Sequence, residues 1–345
     1  GRCGWWTWTH DDEEVLHGCP ARSASRAASH SPHKVLPVET ELNPLQQHVL
    51  RAMRVPEGWA PMDASVVADV ESQLESALEP IRGLFTADKP LRVNKHQIAT
   101  VHGCEKHHML QRESPFAWNI NTVRGTMAHK AIELLINWKG NVIPGEIVDA
   151  AITSVAENPR ESASGFLVSL SAHEMAELRG NDVTAVTNFF ECFPPIKPAW
   201  RPVVEYPASY SLFDKSVVLT SRMDLVMGGP GRKVIIDLKT GNLSRTHVDD
   251  LRFYALVETL RSRQPPRMLG SYSLESARLD AEDVTEGVLQ SAVRRTANGV
   301  LLIADLVLKT REPDVRGGFQ CRWCPALEEC ETGQKFLRQL EGDDK

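Results

Sequence analysis

The spacing of apolar residues along the chain predicts a series of amphipathic helices. Between Asp63 and Phe85, apolar residues recur every three or four positions, and Asp63 stands where a helix-capping side chain is expected. The same periodicity predicts four later helical segments: a helix that begins after Gly125, mostly helical chain over residues 145–192, a helix over residues 247–263 and a long helix from about Ala281 to Lys309.

Short, nearly continuous apolar runs bounded by turn residues predict β-strands between these helices. The runs cover residues 202–212, 216–227, 233–241 and 268–276. Four turn residues, Gly228 to Gly231 with Pro230 among them, separate the second run from the third. These two strands are therefore predicted to form a β-hairpin.

The first 45 residues lack apolar periodicity. Residues 21–34 are rich in Ser, Ala and Arg, which is typical of a disordered segment. The predicted organisation is a disordered tail over residues 1–45, a helical extension over 46–90, a main domain over 91–335 and a C-terminal tail over 336–345.

The composition is typical of a soluble globular protein, because 42% of the 345 residues are hydrophobic and 24% are charged. No segment approaches the roughly 18 uninterrupted apolar residues of a membrane-spanning helix, so no membrane partner is predicted. The N-terminal sequence lacks the basic start and apolar centre of a signal peptide. Seven cysteines at low density argue against a disulfide framework. Together these features predict a cytoplasmic protein.

The net charge of −6 argues against a uniformly basic nucleic-acid-binding protein, but one segment is locally basic. Its lysines and arginines are Arg82, Lys89, Arg92, Lys95, Lys106 and Arg112, with four histidines among them. Such a charge run is typical of a solvated face. It is also suited to guide the backbone of single-stranded DNA, and both interpretations stay open at this point.

Asp237 and Lys239 lie at the end of a predicted strand that otherwise has the apolar pattern of a dry core. Side chains alternate along a strand, so these two charges share one face, as do Arg222 and Asp224 on the preceding strand. If the hairpin folds symmetrically about its turn, Asp224 lies opposite Asp237. Two like charges so placed are destabilising unless a cation lies between them, and Mg²⁺ prefers carboxylate ligands. The alternative is an exposed Asp–Lys pair on a surface hairpin.

Two other groups of residues have the spacing of ligand sites. His129 and Glu133 are four residues apart on one face of a predicted helix, although a polar stripe on an amphipathic helix has the same spacing. Cys321, Cys324 and Cys330 form a C-x₂-C-x₅-C pattern, and Cys104 is the candidate fourth ligand. Thiolates suit either zinc or an iron–sulfur cluster. The alternative to a metal site is that these are free cysteines in the hydrophobic core. The charged residues between them argue against this alternative.

The order of these motifs resembles the RecB-like, exonuclease V-like branch of the PD-(D/E)XK nuclease superfamily. Along the chain they read G-T-x-x-H-x-x-x-E, E-Y, R-x-D, I-I-D-x-K-T-G and a helix with F-Y-A. The resemblance covers roughly Val93 to Cys330. It implies a restriction-endonuclease-like α/β core over residues 91–335, in which a mixed central sheet is flanked by helices, with an N-terminal helical extension.

The resemblance also implies which residues form the active site. His129, Asp224, Asp237 and the backbone carbonyl of Leu238 would hold Mg²⁺ or Mn²⁺, and Lys239 would be catalytic together with the two aspartates. Candidates for accessory roles are Glu133, Glu205, Arg222, Asp250 and Tyr254; for Glu205 the alternative is an ordinary surface residue of a strand. Asp250 departs from the family pattern, which usually has glutamine there, whereas Tyr254 matches the family tyrosine.

A subset of the family has a cysteine ahead of the histidine helix and a C-x₂-C-P-x₄-C set near the C-terminus. This resemblance implies that Cys104, Cys321, Cys324 and Cys330 hold a structural 4Fe–4S cluster, with zinc as the less favoured alternative. The implied function is a metal-dependent, single-strand-preferring DNA exonuclease in repair or recombination. Because the chain has no phosphate-loop motif, a helicase or other repair protein would act in trans. The alternative function is a non-catalytic DNA-binding or assembly factor.

Overall fold

The structure, a computed structural model, describes residues 41–114, 116–241, 243 and 246–343. Positions 1–40 of the tail predicted to be disordered lie outside the described residues, and the predicted domain boundaries stay predictions. The chain from Leu42 onward forms one compact unit. Its first helix, α1 (Pro44–Ala52), begins with a capping box in which Asn43 and Gln46 satisfy each other's backbone N–H groups.

The second helix, α2 (Ala64–Leu78), is capped by Asp63 as predicted, and its apolar stripe of Val67, Val70, Leu74 and Leu78 is buried. It ends at Leu78, earlier than the apolar pattern indicated, because Pro80 lies in the short 3₁₀ turn that follows.

Six strands form one mixed sheet. They are β1 (Leu91–Asn94), β2 (Val203–Leu212), β3 (Val217–Met227), β4 (Val234–Lys239), β5 (Met268–Ser273) and β6 (Leu279–Asp283). The order is β1-β3-β4-β5-β6, and β2 also pairs with β3. β1 is parallel to β3 and β4 to β5, whereas the other pairs are antiparallel. The predicted hairpin is confirmed as β3–β4.

Helices cover both faces of the sheet. The remaining helices are α3 (Lys95–Gly103), α4 (Glu105–Glu113), α5 (Ile120–Ile136), α6 (Pro144–Ala156), α7 (Ser164–Ser169), α8 (Ala172–Cys192), α9 (Thr246–Ser262), α10 (Glu286–Leu308) and α11 (Glu331–Asp343). Apolar residues of α2, α3, α9 and α10 pack with Val226 and Ile235 on one face. Those of α1, α5, α6 and α8 pack with Leu225 and Ile236 on the other. The predicted mixed α/β architecture is thus confirmed.

Two predicted helix starts are wrong. α5 begins at Ile120 rather than after Gly125, because Asn119 caps it and forms a capping box with Thr122. α10 begins at Glu286 rather than near Ala281, because the residues before its Thr285 cap pair with β5 as strand β6. The short strand β1 was not predicted, since four residues carry little periodic signal.

Within the described residues, no helix combines the length and the apolar character needed to span a bilayer.

Candidate active site

The sheet divides next to β3, and this division creates the site. β1 pairs with residues 217–220 of β3, and β4 pairs with residues 225–227. β2 pairs with both parts of β3 along one edge of that strand. β1 and β4 must therefore both pair with the other edge of β3, one after the other along its length. Residues 221–224 of β3 therefore lie in a gap between the ends of two strands. At this gap the ladder of backbone hydrogen bonds is interrupted, and strand ends and polar side chains meet there instead.

Three acidic residues occupy neighbouring register positions across the strands at this gap. Continuing the β3–β4 register from Leu225↔Ile236 by one residue brings Asp224 opposite Asp237, as the symmetric hairpin predicted. The β2–β3 register likewise brings Glu205 opposite Asp224. Glu205 has a left-handed backbone with φ of 50°, a conformation that is unfavourable for a non-glycine residue and is found more often at functional sites. Adjacent like charges need nearby cations.

His129 on α5 points toward these carboxylates. Donor atoms of His129, Glu205 and Asp224 all lie within 4.8 Å of one another, a spacing that a single metal ion can bridge. His129 Nδ1 is 3.5 Å from Asp224 Oδ1, and its Nε2 is 3.0 Å from the carbonyl oxygen of Leu238. Burial alone would lower the pKa of His129, but the carboxylates, Asp224 foremost, raise it to about 9.

Asp224 is fixed from a second direction, because its Oδ2 accepts a hydrogen bond of 2.7 Å from the Leu238 N–H. The candidate ligands from the sequence are thus brought together: His129, Asp224 and the Leu238 carbonyl adjoin one another. Glu205, which the sequence left between an accessory acid and an ordinary surface residue, lies within the same cluster. Burial raises the pKa of Glu205, and the neighbouring charge of Asp224 raises it further.

Asp237 lies between two lysines rather than within that cluster. Its side chain is 1% exposed, with Lys95 Nζ 2.7 Å from Oδ1 and Lys239 Nζ 2.6 Å from Oδ2. The contact between Lys239 Nζ and Asp237 Oδ2 is short but lacks hydrogen-bond geometry. The buried Oδ2 atom is therefore still able to accept a hydrogen bond. Burial would raise the pKa of Asp237, but the charges of Lys95 and Lys239 outweigh burial and lower it. Asp237 is therefore a carboxylate at neutral pH.

Lys95 is a site residue that sequence reasoning missed, since it was grouped with the basic segment. It is the first residue of α3 and follows directly on β1. Its ammonium also lies 4.5 Å from the ring centroid of Tyr254, in a cation–π contact. The signal in the sequence was the alternation of apolar Leu91 and Val93 with polar Arg92 and Asn94, and it extends over only four residues.

The predicted accessory residues have different positions. Tyr254 is buried beneath Lys95, and its hydroxyl donates to the carbonyl of Arg222 at 2.6 Å. The Arg222 side chain is 74% exposed and pairs with Glu205 at 3.0 Å. Glu133 pairs with Lys130 on its own helix at 3.0 Å and lies outside the metal-ligand cluster.

Asp250 on α9 lies within the electrostatic reach of the site. Burial raises the pKa of Asp250, and the charges of Lys95 and Lys239 oppose that rise. It is therefore a half-buried acid within electrostatic reach of both lysines that contact Asp237.

The four predicted cluster cysteines line one common pocket. Cys104 precedes α4, while Cys321, Cys324 and Cys330 lie on two short 3₁₀ turns and the residues after them. None of the four forms a disulfide bond. The N–H groups of Gly318 and Gly333 each lie 3.4 Å from a sulfur, of Cys321 and Cys330 respectively, as donors to thiolates would.

The spacing of these sulfurs can be compared with the size of a metal group. A tetrahedral zinc ion with bonds of about 2.3 Å holds its sulfurs about 3.8 Å apart. Among the described residues, no three cysteine sulfurs lie within 4.8 Å of one another. At least one pair in any three of these sulfurs is therefore farther apart than the ligands of a bound zinc ion.

Comparisons with known proteins bear on this geometry. A family model described as the PD-(D/E)XK nuclease superfamily matches residues 92–331, more than half of the chain. The crystal structure of SSO0001 is similar at 11% identity and a TM-score of 0.32, over 76% of this chain and 96% of that one. A "putative exonuclease" from Eubacterium rectale is similar at 11% identity and a TM-score of 0.41, over 74% and 90%. No curated protein gives a significant match.

Proposed function

Because this chain belongs to the PD-(D/E)XK nuclease superfamily, we propose that it is a Mg²⁺- or Mn²⁺-dependent deoxyribonuclease that hydrolyses phosphodiester bonds. The observation that supports this most directly is the cluster of His129, Glu205 and Asp224, whose donor atoms lie within 4.8 Å. Two carboxylates and one imidazole suit a divalent cation. The Leu238 carbonyl and Asp237 Oδ2 are further oxygen ligands at the same gap in the sheet.

When bound there, a divalent cation supplies charge for the scissile phosphate and lowers the pKa of a bound water. The residues of the chain then have separate roles. Asp224 and His129 fix the ligand positions, because each is held by the backbone of Leu238. Lys95 neutralises and orients Asp237. Lys239, 2.6 Å from Asp237, is the ammonium that orients the attacking water or stabilises negative charge that develops on the phosphate.

The substrate that we propose is single-stranded DNA, degraded from an end during repair or recombination. The support is the basic segment over residues 82–112, which includes Lys95 of the site. Lys89, Arg92 and Arg112 line one cavity of about 510 Å³ together with Leu84 and Phe85. A groove of basic and apolar side chains suits the phosphates and base faces of a single strand. Because the chain has no motor motif, a helicase or other repair protein in trans would supply unwound DNA.

We further propose that the protein belongs to the RecB-like branch and that Cys104, Cys321, Cys324 and Cys330 hold a 4Fe–4S cluster. The shared pocket and the two N–H groups directed at sulfur support this assignment. The cluster is structural in this proposal, because it joins α4 to the distant C-terminal turns. Arg311 makes the same connection, with its guanidinium nitrogens 2.6 and 3.0 Å from the Glu105 carboxylate.

A second candidate function is a non-catalytic DNA-binding or assembly factor with the same fold. The observation that favours it is Asp250, a half-buried acid within electrostatic reach of Lys95 and Lys239. An additional negative charge there opposes the approach of a phosphate. The two candidates differ in whether Lys239 is needed for phosphodiester hydrolysis.

Cleavage of single-stranded DNA labelled at the 5′ or the 3′ end, in the presence of Mn²⁺, separates these candidates. We expect wild-type protein and a Lys139→Ala control, which changes an exposed lysine, to release labelled products, and Lys239→Ala to bind DNA without cleaving it. The end label released first gives the polarity. DNA binding without cleavage by the wild type would favour the non-catalytic alternative.

A further inference from the structure

The chain leaves the site through three residues whose carbonyl groups are each held by a different donor. The Lys239 carbonyl accepts from the Leu274 N–H at 2.8 Å. The Gly241 carbonyl accepts from Ser273 Oγ at 3.2 Å. Between them, the Thr240 carbonyl accepts from Arg124 Nη2 at 3.1 Å. Two donors thus come from the end of β5, whereas Arg124 alone comes from α5, the helix that bears His129.

Helix α5 therefore contacts the end of β4 at two points. His129 Nε2 is 3.0 Å from the Leu238 carbonyl, and Arg124 donates to the carbonyl of Thr240, two residues further on. Five residues of a helix span about 7.5 Å, and two residues of a strand span about 6.6 Å. The two spacings along the helix and the strand are similar, and the backbone of Lys239 lies between the two contacts.

The buried acid Asp182 on α8 lies within electrostatic reach of Arg124. Asp182 is 0% exposed, and neither carboxylate oxygen has a hydrogen-bond partner among the described residues. Burial raises the pKa of Asp182, and Arg124 is the charge that lowers it. Arg124 Nε is likewise buried without a partner. Since isolated charges are unfavourable in an interior, the positive charge of Arg124 lowers the cost of burying the Asp182 carboxylate.

We propose that Arg124 is a positioning residue for Lys239, with Asp182 as its countercharge. The inference rests on the proposed function, in which the Lys239 ammonium acts on the scissile phosphate. Arg124 itself contacts no reacting atom. It fixes the peptide between Thr240 and Gly241, the second after Lys239, and so limits how far the Lys239 backbone and ammonium move relative to Asp237. A lysine at position 124 keeps the charge and one donor, which makes it the conservative replacement.

Amide hydrogen exchange tests this inference without relying on activity. The variants are Arg124→Met, Arg124→Lys and, as a matched control on an exposed arginine, Arg160→Met. We expect Arg124→Met to accelerate exchange in the peptide spanning residues 234–241 by roughly tenfold or more, because loss of an anchor favours local opening. Arg124→Lys should restore most of the protection, and the control should match the wild type.

Kinetics on the same proteins adds a second readout. A displaced Lys239 should lower kcat of Arg124→Met by roughly 10- to 100-fold with KM nearly unchanged, since small misplacements of a reacting group have effects of this size. Asp182→Asn should weaken the same anchor, and the double variant with Arg124→Met should be no worse than Arg124→Met alone. Unchanged exchange in residues 234–241, or equal loss of kcat in the Lys and Met variants, would overturn the positioning role. Additive effects of the two substitutions would overturn the countercharge.

Failure of this inference is distinguishable from failure of the proposed function. If the wild type does not cleave DNA, the exchange experiment still decides whether Arg124 holds the chain after Lys239. If the wild type cleaves DNA and exchange does not respond to Arg124→Met, the nuclease assignment stands and the positioning role is wrong.

Discussion

The ammonium of Lys95 lies 2.7 Å from Asp237 Oδ1, although 142 residues separate them in the sequence. Lys95 follows β1 and Asp237 is near the end of β4, and both strands occupy the same edge of β3. The strands leave a gap there, so these two side chains meet across it. The pair keeps Asp237 charged beside the carboxylates that are proposed to hold the metal.

Replacement of Lys95 should expose the importance of this pair. In Lys95→Met, the buried Asp237 keeps only Lys239 as a cation, so we expect a loss of roughly 1–3 kcal/mol in the free energy of unfolding. Urea denaturation measures this loss. The exposed Lys89→Met is the control and should leave stability within about 0.5 kcal/mol of the wild type. Equal stability of the two variants would contradict the role given to Lys95.

Glu205 should have opposite effects on metal-bound and metal-free protein. Its carboxylate lies beside that of Asp224, so Glu205→Gln removes like-charge repulsion and should leave the metal-free protein at least as stable as the wild type. Mn²⁺ stabilises the folded state that binds it, and the variant should show a smaller rise in Tm when Mn²⁺ is added. Thermal unfolding with and without Mn²⁺ checks both effects, with the exposed Glu275→Gln as control. An undiminished rise in Glu205→Gln would exclude Glu205 as a ligand.

The buried acid Asp182 predicts a specific pH dependence of stability. Burial raises its pKa from 3.8 to about 7 in the folded protein, so between these values the folded state binds more protons than the unfolded state. The stability from this group is therefore present below pH 4 and is lost as the pH rises through 7. Relative to Asp182→Asn, the wild type should lose a few kcal/mol from pH 4 to pH 8, since one pKa unit corresponds to about 1.4 kcal/mol. Parallel stability curves for the two proteins would refute this assignment.

The cysteine assignment predicts a coloured protein. When prepared without oxygen, the wild type should be brown and contain iron and sulfide, and Cys330→Ser should lose the colour and some stability. Cys192→Ser is the matched control, because Cys192 is a free thiol that does not line the shared pocket. Colourless wild-type protein that contains zinc would favour the alternative metal.

The sequence predicted the local structure better than it predicted which distant elements meet. The hairpin register followed from its turn residues, and the opposition of Asp224 and Asp237 follows from it. Lys95 was missed because β1 is short and its pairing with β3 joins segments more than 100 residues apart. Glu205 stayed ambiguous for a similar reason, since its place depends on the β2–β3 register and on a left-handed backbone that no pattern signals. The catalytic roles of these residues stay predictions.

The cluster around Asp224 is proposed to hold the divalent cation that hydrolysis requires. Calorimetric Mn²⁺ titration and DNA cleavage, measured on the same preparations of wild type, Asp224→Asn and the exposed control Asp88→Asn, test it most directly. We predict that Asp224→Asn loses at least about tenfold in Mn²⁺ affinity and cleavage along with it, while Asp88→Asn behaves as the wild type. Wild-type Mn²⁺ affinity and cleavage in Asp224→Asn would contradict the account.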